Sequence, residues 1–214
     1  MNVALQSIED ILEIGGPVVV LLVAISVLTL AVVLYKLWQF ARAGVGRHRA
    51  LTSAVAAWDR GDRAAARSEL ASSRSYLAPV VDMSLSAGPR DVARLEAEAE
   101  ARFARLERGF RFLDTVAQLA PLLGLFGTVL GMIEAFQALQ DAGARVDPSV
   151  LAGGIWVALT TTAVGLLVAM PTAAALSWFE ARMDAERVTA SRAIHTILSP
   201  REGSPAATAT AHHA

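Results

Sequence analysis

Cysteine is absent from all 214 residues, so the chain has no disulfide framework, no thiolate metal site and no cysteine nucleophile. Charge is missing from three long windows, residues 17–34, 115–133 and 150–179, in a chain that is 54% hydrophobic and 18% charged. That distribution belongs to a membrane protein rather than a soluble one. The formal net charge is −1 and the basic residues are interleaved with acids, which excludes the electrostatic footprint of a nucleic-acid binder. No nucleotide-binding loop, catalytic triad or metal-ligand cluster occurs, so neither an enzyme nor a cofactor or metal is expected. The first sixteen residues lack Lys and Arg and carry Glu9, Asp10 and Glu13, and no cleaved secretory leader is expected from them.

A bilayer-crossing helix needs about 20 predominantly apolar residues, because each adds about 1.5 Å against some 30 Å of hydrocarbon. The fold class that follows is all-α: a polytopic membrane protein with three transmembrane helices, the second and third extended into the cytoplasm. Residues 1–16 form an N-terminal segment, with Ile8, Ile11 and Leu12 at the spacing of a short surface helix or a frayed tail. The first span covers 17–38, marked by Gly15, Gly16 and Pro17 at its start and by Tyr35, Lys36, Trp38 and Phe40 as interfacial anchors. Residues 39–111 are Arg-, Ala- and Glu-rich and predict a helical insert of two or three short helices and then a long one beginning near Asp91. In that last helix Leu95, Ala99, Phe103, Leu106, Phe110 and Leu113 make a stripe that continues into the second span, 112–139, interrupted only by Gly109. Glu98 with Arg102 and Glu107 with Arg111 fit i,i+4 pairs along it. A turn at 140–149 leads to the third span, 150–179, then a cytoplasmic helix over 180–199 and a disordered tail over 200–214. His212 and His213 in that tail could touch a metal, but a disordered terminus is the simpler account.

Basic residues set the orientation. Fourteen lie between Lys36 and Arg111 and four from Arg182 onward, whereas Arg145 stands alone between the second and third spans. The positive-inside rule therefore places the N-terminus in the periplasm and the insert and C-terminus in the cytoplasm.

The spans themselves carry small and hydroxylated residues. Pro121, Gly124, Thr128, Gly131 and Ala135 recur every three or four residues and predict one helix face, with Gly127 and Gly131 as a small-xxx-small pair. Ala158, Thr161, Thr162, Gly165 and Ala169 do the same on the third span. Such faces serve close helix packing, and a threonine among them can simply return its hydroxyl to the preceding turn. Counted from Leu113 and Trp178, however, Thr128 and Thr162 both fall about 22–24 Å along their helices, near mid-membrane. Hydroxyls at one depth, each donor and acceptor, suit water or a proton relay. No Asp, Glu, Lys, Arg or His lies at that depth, while Asp114 and Glu134 sit nearer the two mouths. An ion-coupled machine built on this chain needs a partner to supply the ionisable group.

The run Ala120-Pro-Leu-Leu-Gly-Leu-Phe-Gly-Thr-Val-Leu-Gly-Met132 resembles the second-span motif of the ExbB/TolQ/MotA proton-channel family. Ala158-Leu-Thr-Thr-Thr-Ala-Val-Gly-Leu166 with Ala169-Met-Pro171 resembles its third-span motif. Three spans with a large insert between the first two look like the ExbB/TolQ type, and the resemblance covers roughly 17–197. It implies a ring of five copies in the bacterial inner membrane around an ExbD/TolR-like dimer of single-span chains, whose membrane aspartate is the ionisable group missing here. It also implies that Thr128 and Thr162 line the ion pathway, with Pro121, Gly124, Gly127, Gly131, Ala158, Thr161 and Gly165 on a pore or packing face. Many relatives carry a glutamate five residues before the third-span threonine, where this chain has Val157. The alternative is a non-conducting membrane scaffold that docks a partner through its cytoplasmic helices.

Overall fold

The computed structural model of the chain describes residues 2–141 and 148–200, with side chains from residue 16 onward except at 148 and 150. Most of the turn expected at 140–149, including Arg145, and all of the tail beyond 200, with His212 and His213, lie outside the described residues. Every regular element described is a helix: α1 (Asn2–Ala43), α2 (Arg49–Asp59), α3 (Arg63–Ser72), α4 (Ala78–Ser86), a 3-10 turn (Pro89–Asp91), α5 (Val92–Glu107), α6 (Phe110–Asp141) and α7 (Pro148–Leu198). Three stretches are long and apolar enough to cross a bilayer, Gly16–Ala43, Phe110–Asp141 and Leu151–Leu198. The protein is an all-α polytopic membrane protein with three transmembrane helices.

Two glycines set where these helices start. Gly16 divides α1 with φ 66° and ψ −169°, a conformation that side chains with a Cβ avoid, and Pro17 opens the apolar part. Gly109, at φ 96°, ends the stripe that the pattern predicts to run on into the second span. Leu95, Ala99, Phe103, Leu106, Phe110 and Leu113 are all buried, but on two helices rather than one. Glu107 consequently does not meet Arg111 one turn on; it pairs with Arg187 at 2.7 Å, whereas Glu98 and Arg102 do pair at 2.9 Å. Asp91 precedes α5 without capping it, because its carboxylate accepts the Gly88 N–H at 2.9 Å.

By contact the chain forms two compact units, residues 1–35 with 109–179 and residues 36–108 with 180–214. The membrane unit has a core in which Val18 and Leu22 of α1, Val116 and Ala120 of α6 and Ala169 of α7 meet. Phe110 and Phe179 stack at 5.7 Å between ring centres. Its outer surface is apolar: Leu122, Leu125, Phe126 and Phe136 on α6 and Trp156, Leu159, Leu167 and Met170 on α7 are all exposed. Water would not tolerate so continuous a face, but lipid or neighbouring chains do.

In the second unit α2–α5 pack with the end of α7 around Leu51, Trp58, Leu77, Val80, Phe103, Met183 and Ile194. Trp58 donates its indole N–H to the Ile197 carbonyl at 3.1 Å. Tyr35 and Trp38 are exposed, as interfacial anchors should be, but Lys36 and Phe40 are buried. The Lys36 ammonium donates to Gln39 Oε1 at 2.8 Å and to the Leu106 carbonyl at 2.9 Å, so it ties helices together instead of reaching the headgroups. The helical period explains the split: residues 36 and 40 lie one turn apart on the protein side.

Glu186 is as deeply buried as Lys36, 2% exposed. Its carboxylate meets His48 Nε2 at 2.8 Å and accepts the Tyr76 hydroxyl at 2.9 Å and the Gly46 N–H at 2.8 Å. Burial alone would raise the carboxyl, but the bonds from His48, Tyr76 and Gly46 outweigh it and hold Glu186 below the ordinary carboxylate range. Burial first, and then the facing Glu186 charge, push the Tyr76 phenol up. A depressed carboxyl contributes stability that is complete above its unfolded value, near 4.5, and is lost as pH falls through the lower folded value. Glu186→Ala should therefore loosen the turn between α1 and α2 by about 1–3 kcal/mol at neutral pH, since it takes a shared acceptor from half-buried His48 and Tyr76 and from the Gly46 N–H. Trypsin at neutral pH should cut the full-length variant faster at Arg47 and Arg49, and the gap in melting temperature from wild type should shrink as pH falls below the ordinary carboxylate value, near 4.5. Equal cleavage at neutral pH would remove Glu186 as the clamp.

Candidate functional site

The site is the seam between α6 and α7 inside the membrane unit. Gly124, Gly127, Gly131 and Ala135 of α6 are buried, facing buried Ala158, Thr161 and Gly165 of α7. The approach is close enough that a β-carbon would collide with backbone. A Cβ at Gly165 would stand 2.6 Å from the Ala120 carbonyl oxygen, and one at Gly124 would stand 2.9 Å from the Thr161 carbonyl oxygen and 3.0 Å from Thr162 Cα. At Gly127 the obstruction is the Thr161 side chain, with Cβ at 2.8 Å, and at Gly131 it is Ala158 Cβ at 3.2 Å. Thr161 thus seats its side chain in a slot that exists because Gly127 has none.

Hydroxyl groups complete the seam. Thr161, 1% exposed, donates to the Ala158 carbonyl of its own helix at 2.7 Å and approaches the Gly124 carbonyl at 3.3 Å. Thr162, half-buried, donates across to the same Gly124 carbonyl at 3.2 Å. Thr160 returns its hydroxyl to Trp156 O at 2.9 Å. Thr128 departs from the face that its i+4 spacing predicts: it and Pro121 are half-buried beside the seam, not in it. Its hydroxyl donates to Leu125 O of its own turn at 2.6 Å, and among the described residues it makes no hydrogen bond to α7.

The register also shifts the expected levels. Contacts set Ala120 against Gly165, Gly124 against Thr161 and Thr162, and Gly131 against Ala158. Thr162 is therefore level with Gly124, about one helical turn, or roughly 6 Å, from Thr128 toward the Phe110 end of α6. Counting from Leu113 and Trp178 treats those two positions as opposite each other, and the packed helices do not align there. Two close approaches extend the predicted faces, Ala120 to Gly165 and Gly154 to Ala135; Ala120 and Gly154 each continue the same small-residue spacing by one step.

The seam itself holds no ionisable side chain. On α6 the carboxylates of Asp114 and Glu134 are exposed, and Asp114 accepts the Gln118 amide at 2.7 Å. Val157 is half-buried. Among the described residues no group of three or more His, Asp or Glu could hold a metal ion. Chemically the site offers hydroxyl donors and acceptors on a rigid, close-packed helix pair, and nothing that titrates near neutral pH.

A three-span helical membrane protein with a hydroxyl-bearing, glycine-packed seam is the class these features define. The profile of the MotA/TolQ/ExbB proton channel family matches residues 65–191, more than half of the chain, and the chain belongs to that family. It is 48% identical over 66 residues to the biopolymer transport protein exbB1 of Vibrio cholerae, covering 31% of this chain and 29% of that one. It is 42% identical over 80 residues to the Tol-Pal system protein TolQ of Haemophilus influenzae, covering 37% of this chain and 35% of that one. A Methanothermobacter thermautotrophicus protein named as an ExbB homologue aligns over 177 residues at 29% identity, 80% of this chain and 62% of that one. The aligned regions span about a third or less of the Vibrio and Haemophilus relatives' own lengths.

Proposed function

We propose that this chain is the ring-forming subunit of a proton-motive-force-driven motor in the bacterial inner membrane, with its N-terminus periplasmic and its C-terminus cytoplasmic. Its partner is an ExbD/TolR-type dimer of single-span chains, each bringing a membrane aspartate, and the work done energises a process of the cell envelope or outer membrane. The observation that carries this is the combination of hydroxyls and missing charge: Thr128 and Thr162 stand mid-helix in the family's motifs while the seam offers no ionisable group of its own. A motor needs such a group, and a partner chain is the simplest source. Ring assembly, with five copies as the expected number, accounts for the exposed apolar faces of α6 and α7. The names of the relatives, biopolymer transport and Tol-Pal system proteins, point to envelope work.

Two measurements test it. Reporter fusions after Ala87 and Ser199 should read cytoplasmic and one after Ala144 periplasmic, following the uneven basic residues; a periplasmic signal at Ala87 overturns the orientation. Vesicles with this chain and an ExbD/TolR-type partner should pass protons, and vesicles with either alone should not. A non-conducting scaffold has one observation in its favour, that the hydroxyls of Thr128, Thr161 and Thr162 already rest on backbone carbonyls. It expects no flux in any combination.

A further inference from the structure

Three donors converge on one carbonyl. In the α-helix the Gly124 oxygen accepts the N–H four residues on, that of Thr128. The same oxygen lies 3.2 Å from the Thr162 hydroxyl and 3.3 Å from that of Thr161. A carbonyl has two lone pairs, and the helix bond occupies one, so a single place is left for two hydroxyls.

The two competitors are not equivalent. Thr161 has a second acceptor in reach, the Ala158 carbonyl at 2.7 Å, and its oxygen is held between the two by a side chain packed into the slot at Gly127. Its proton can pass from one acceptor to the other by turning the hydroxyl alone, with no heavy atom displaced. Thr162 is half-buried at the margin of the seam, and Gly124 is its only acceptor among the described residues. When Thr161 gives its proton to Ala158, Thr162 is pinned to Gly124; when Thr161 takes Gly124, the Thr162 hydroxyl must find another acceptor.

We propose that Thr161 is a positioning residue that, by exchanging its hydroxyl between the Ala158 and Gly124 carbonyls, holds or releases the Thr162 hydroxyl for a water or carboxylate in the ion pathway. This rests on Thr162 belonging to that pathway. The exchange makes and breaks hydrogen bonds only, and no proton leaves either threonine. It also links Thr128 and Thr162 without contact between their side chains, since the backbone N–H of one and the hydroxyl of the other share the Gly124 oxygen.

The test uses the full chain with an ExbD/TolR-type partner in vesicles, reading proton flux and thermal stability together. Thr161→Val keeps the shape that fills the Gly127 slot and loses the hydroxyl. It should hold its assembly and melting temperature yet lower flux about fivefold, the scale of one ordinary hydrogen bond. Thr161→Ser keeps the hydroxyl and loses a methyl from the slot, and should show the reverse, a lower melting temperature with flux near wild type. A merely structural threonine would move both readouts in the same direction. The Thr161→Val/Thr162→Val double variant should conduct no less than Thr162→Val alone, because Thr161 acts only through Thr162. If valine at 161 disturbs assembly, Thr161→Ala, which has nothing to clash, gives the same comparison. Wild-type flux in Thr161→Val beside lost flux in Thr162→Val overturns the positioning role and leaves the ion pathway standing. Wild-type flux in Thr162→Val overturns both.

Discussion

Gly165→Leu should abolish the folded membrane unit. The first atom of any side chain there would lie 2.6 Å from the Ala120 carbonyl oxygen and 3.1 Å from Gly124 Cα, and these are backbone atoms of a helix that cannot swing aside as a side chain would. Inserting methylenes into a packed core costs typically about 1–3 kcal/mol, and a branched side chain pressed on two backbones belongs at or above the upper end. The neighbouring glycines grade the effect. Gly124→Ala meets the Thr161 carbonyl oxygen at 2.9 Å and should be damaging, and Gly131→Ala meets a methyl at 3.2 Å and should be milder. Gly131→Leu should still weaken assembly, since that pair packs small against small. Gly153, on the same helix, has nothing within 4 Å of its would-be Cβ, and Gly153→Ala should be neutral or gain up to about 1 kcal/mol from helix propensity. Far-UV circular dichroism melts and oligomer yield in detergent check the series. A Gly165→Leu protein that accumulates and melts like wild type, or a flat response across the four positions, would mean that α6 and α7 do not pack through these glycines.

The grading shows what kind of information the sequence carries. Gly124, Gly131, Ala158 and Gly165 were legible as one seam because close helix packing in lipid selects small residues at a helical period, and that period survives in one dimension. Thr128 misled because spacings of three and four both count as the same face; each is off the exact turn by tens of degrees, and four residues beyond Gly124 the drift carries it to the flank. Gly109 was visible but ambiguous, since a lone glycine in a helical pattern either costs a little or ends the helix, and only its φ of 96° decides. Lys36 looked like a headgroup anchor because position beside an apolar run is all that a sequence shows; its acceptor on Leu106 is 70 residues away. The Glu186 clamp was out of reach for the same reason, with partners 138, 110 and 140 residues off.

Thr128→Val and Thr162→Val should leave the protein assembled and remove most of its partner-dependent proton flux. Valine nearly matches threonine in shape and cannot hydrogen-bond, so the variant deletes the hydroxyl and little else. The structural losses are small and unequal. Among the described residues Thr128 bonds only within its own turn, at 2.6 Å to Leu125, so valine there surrenders no hydrogen bond between helices. Thr162 gives up its bond to Gly124 at 3.2 Å, an interhelical hydrogen bond in lipid worth about 0.6–2 kcal/mol. Neither loss is large enough to take the packed seam apart, whereas a pathway that needs a hydroxyl to orient water or face a partner's carboxylate should lose tenfold or more of its rate, at about 1.4 kcal/mol per factor of ten. Serine separates the two causes. It keeps the hydroxyl and drops a methyl, so Thr128→Ser and Thr162→Ser should conduct better than the valine variants while melting slightly lower. A scaffold ranks them the other way, because there the methyl contact is what counts and valine is tolerated at least as well as serine. Thr128 is the cleaner of the two sites, since nothing across the seam depends on its oxygen. Wild-type flux in Thr128→Val and Thr162→Val together would take both threonines out of the mechanism and leave the seam as packing alone.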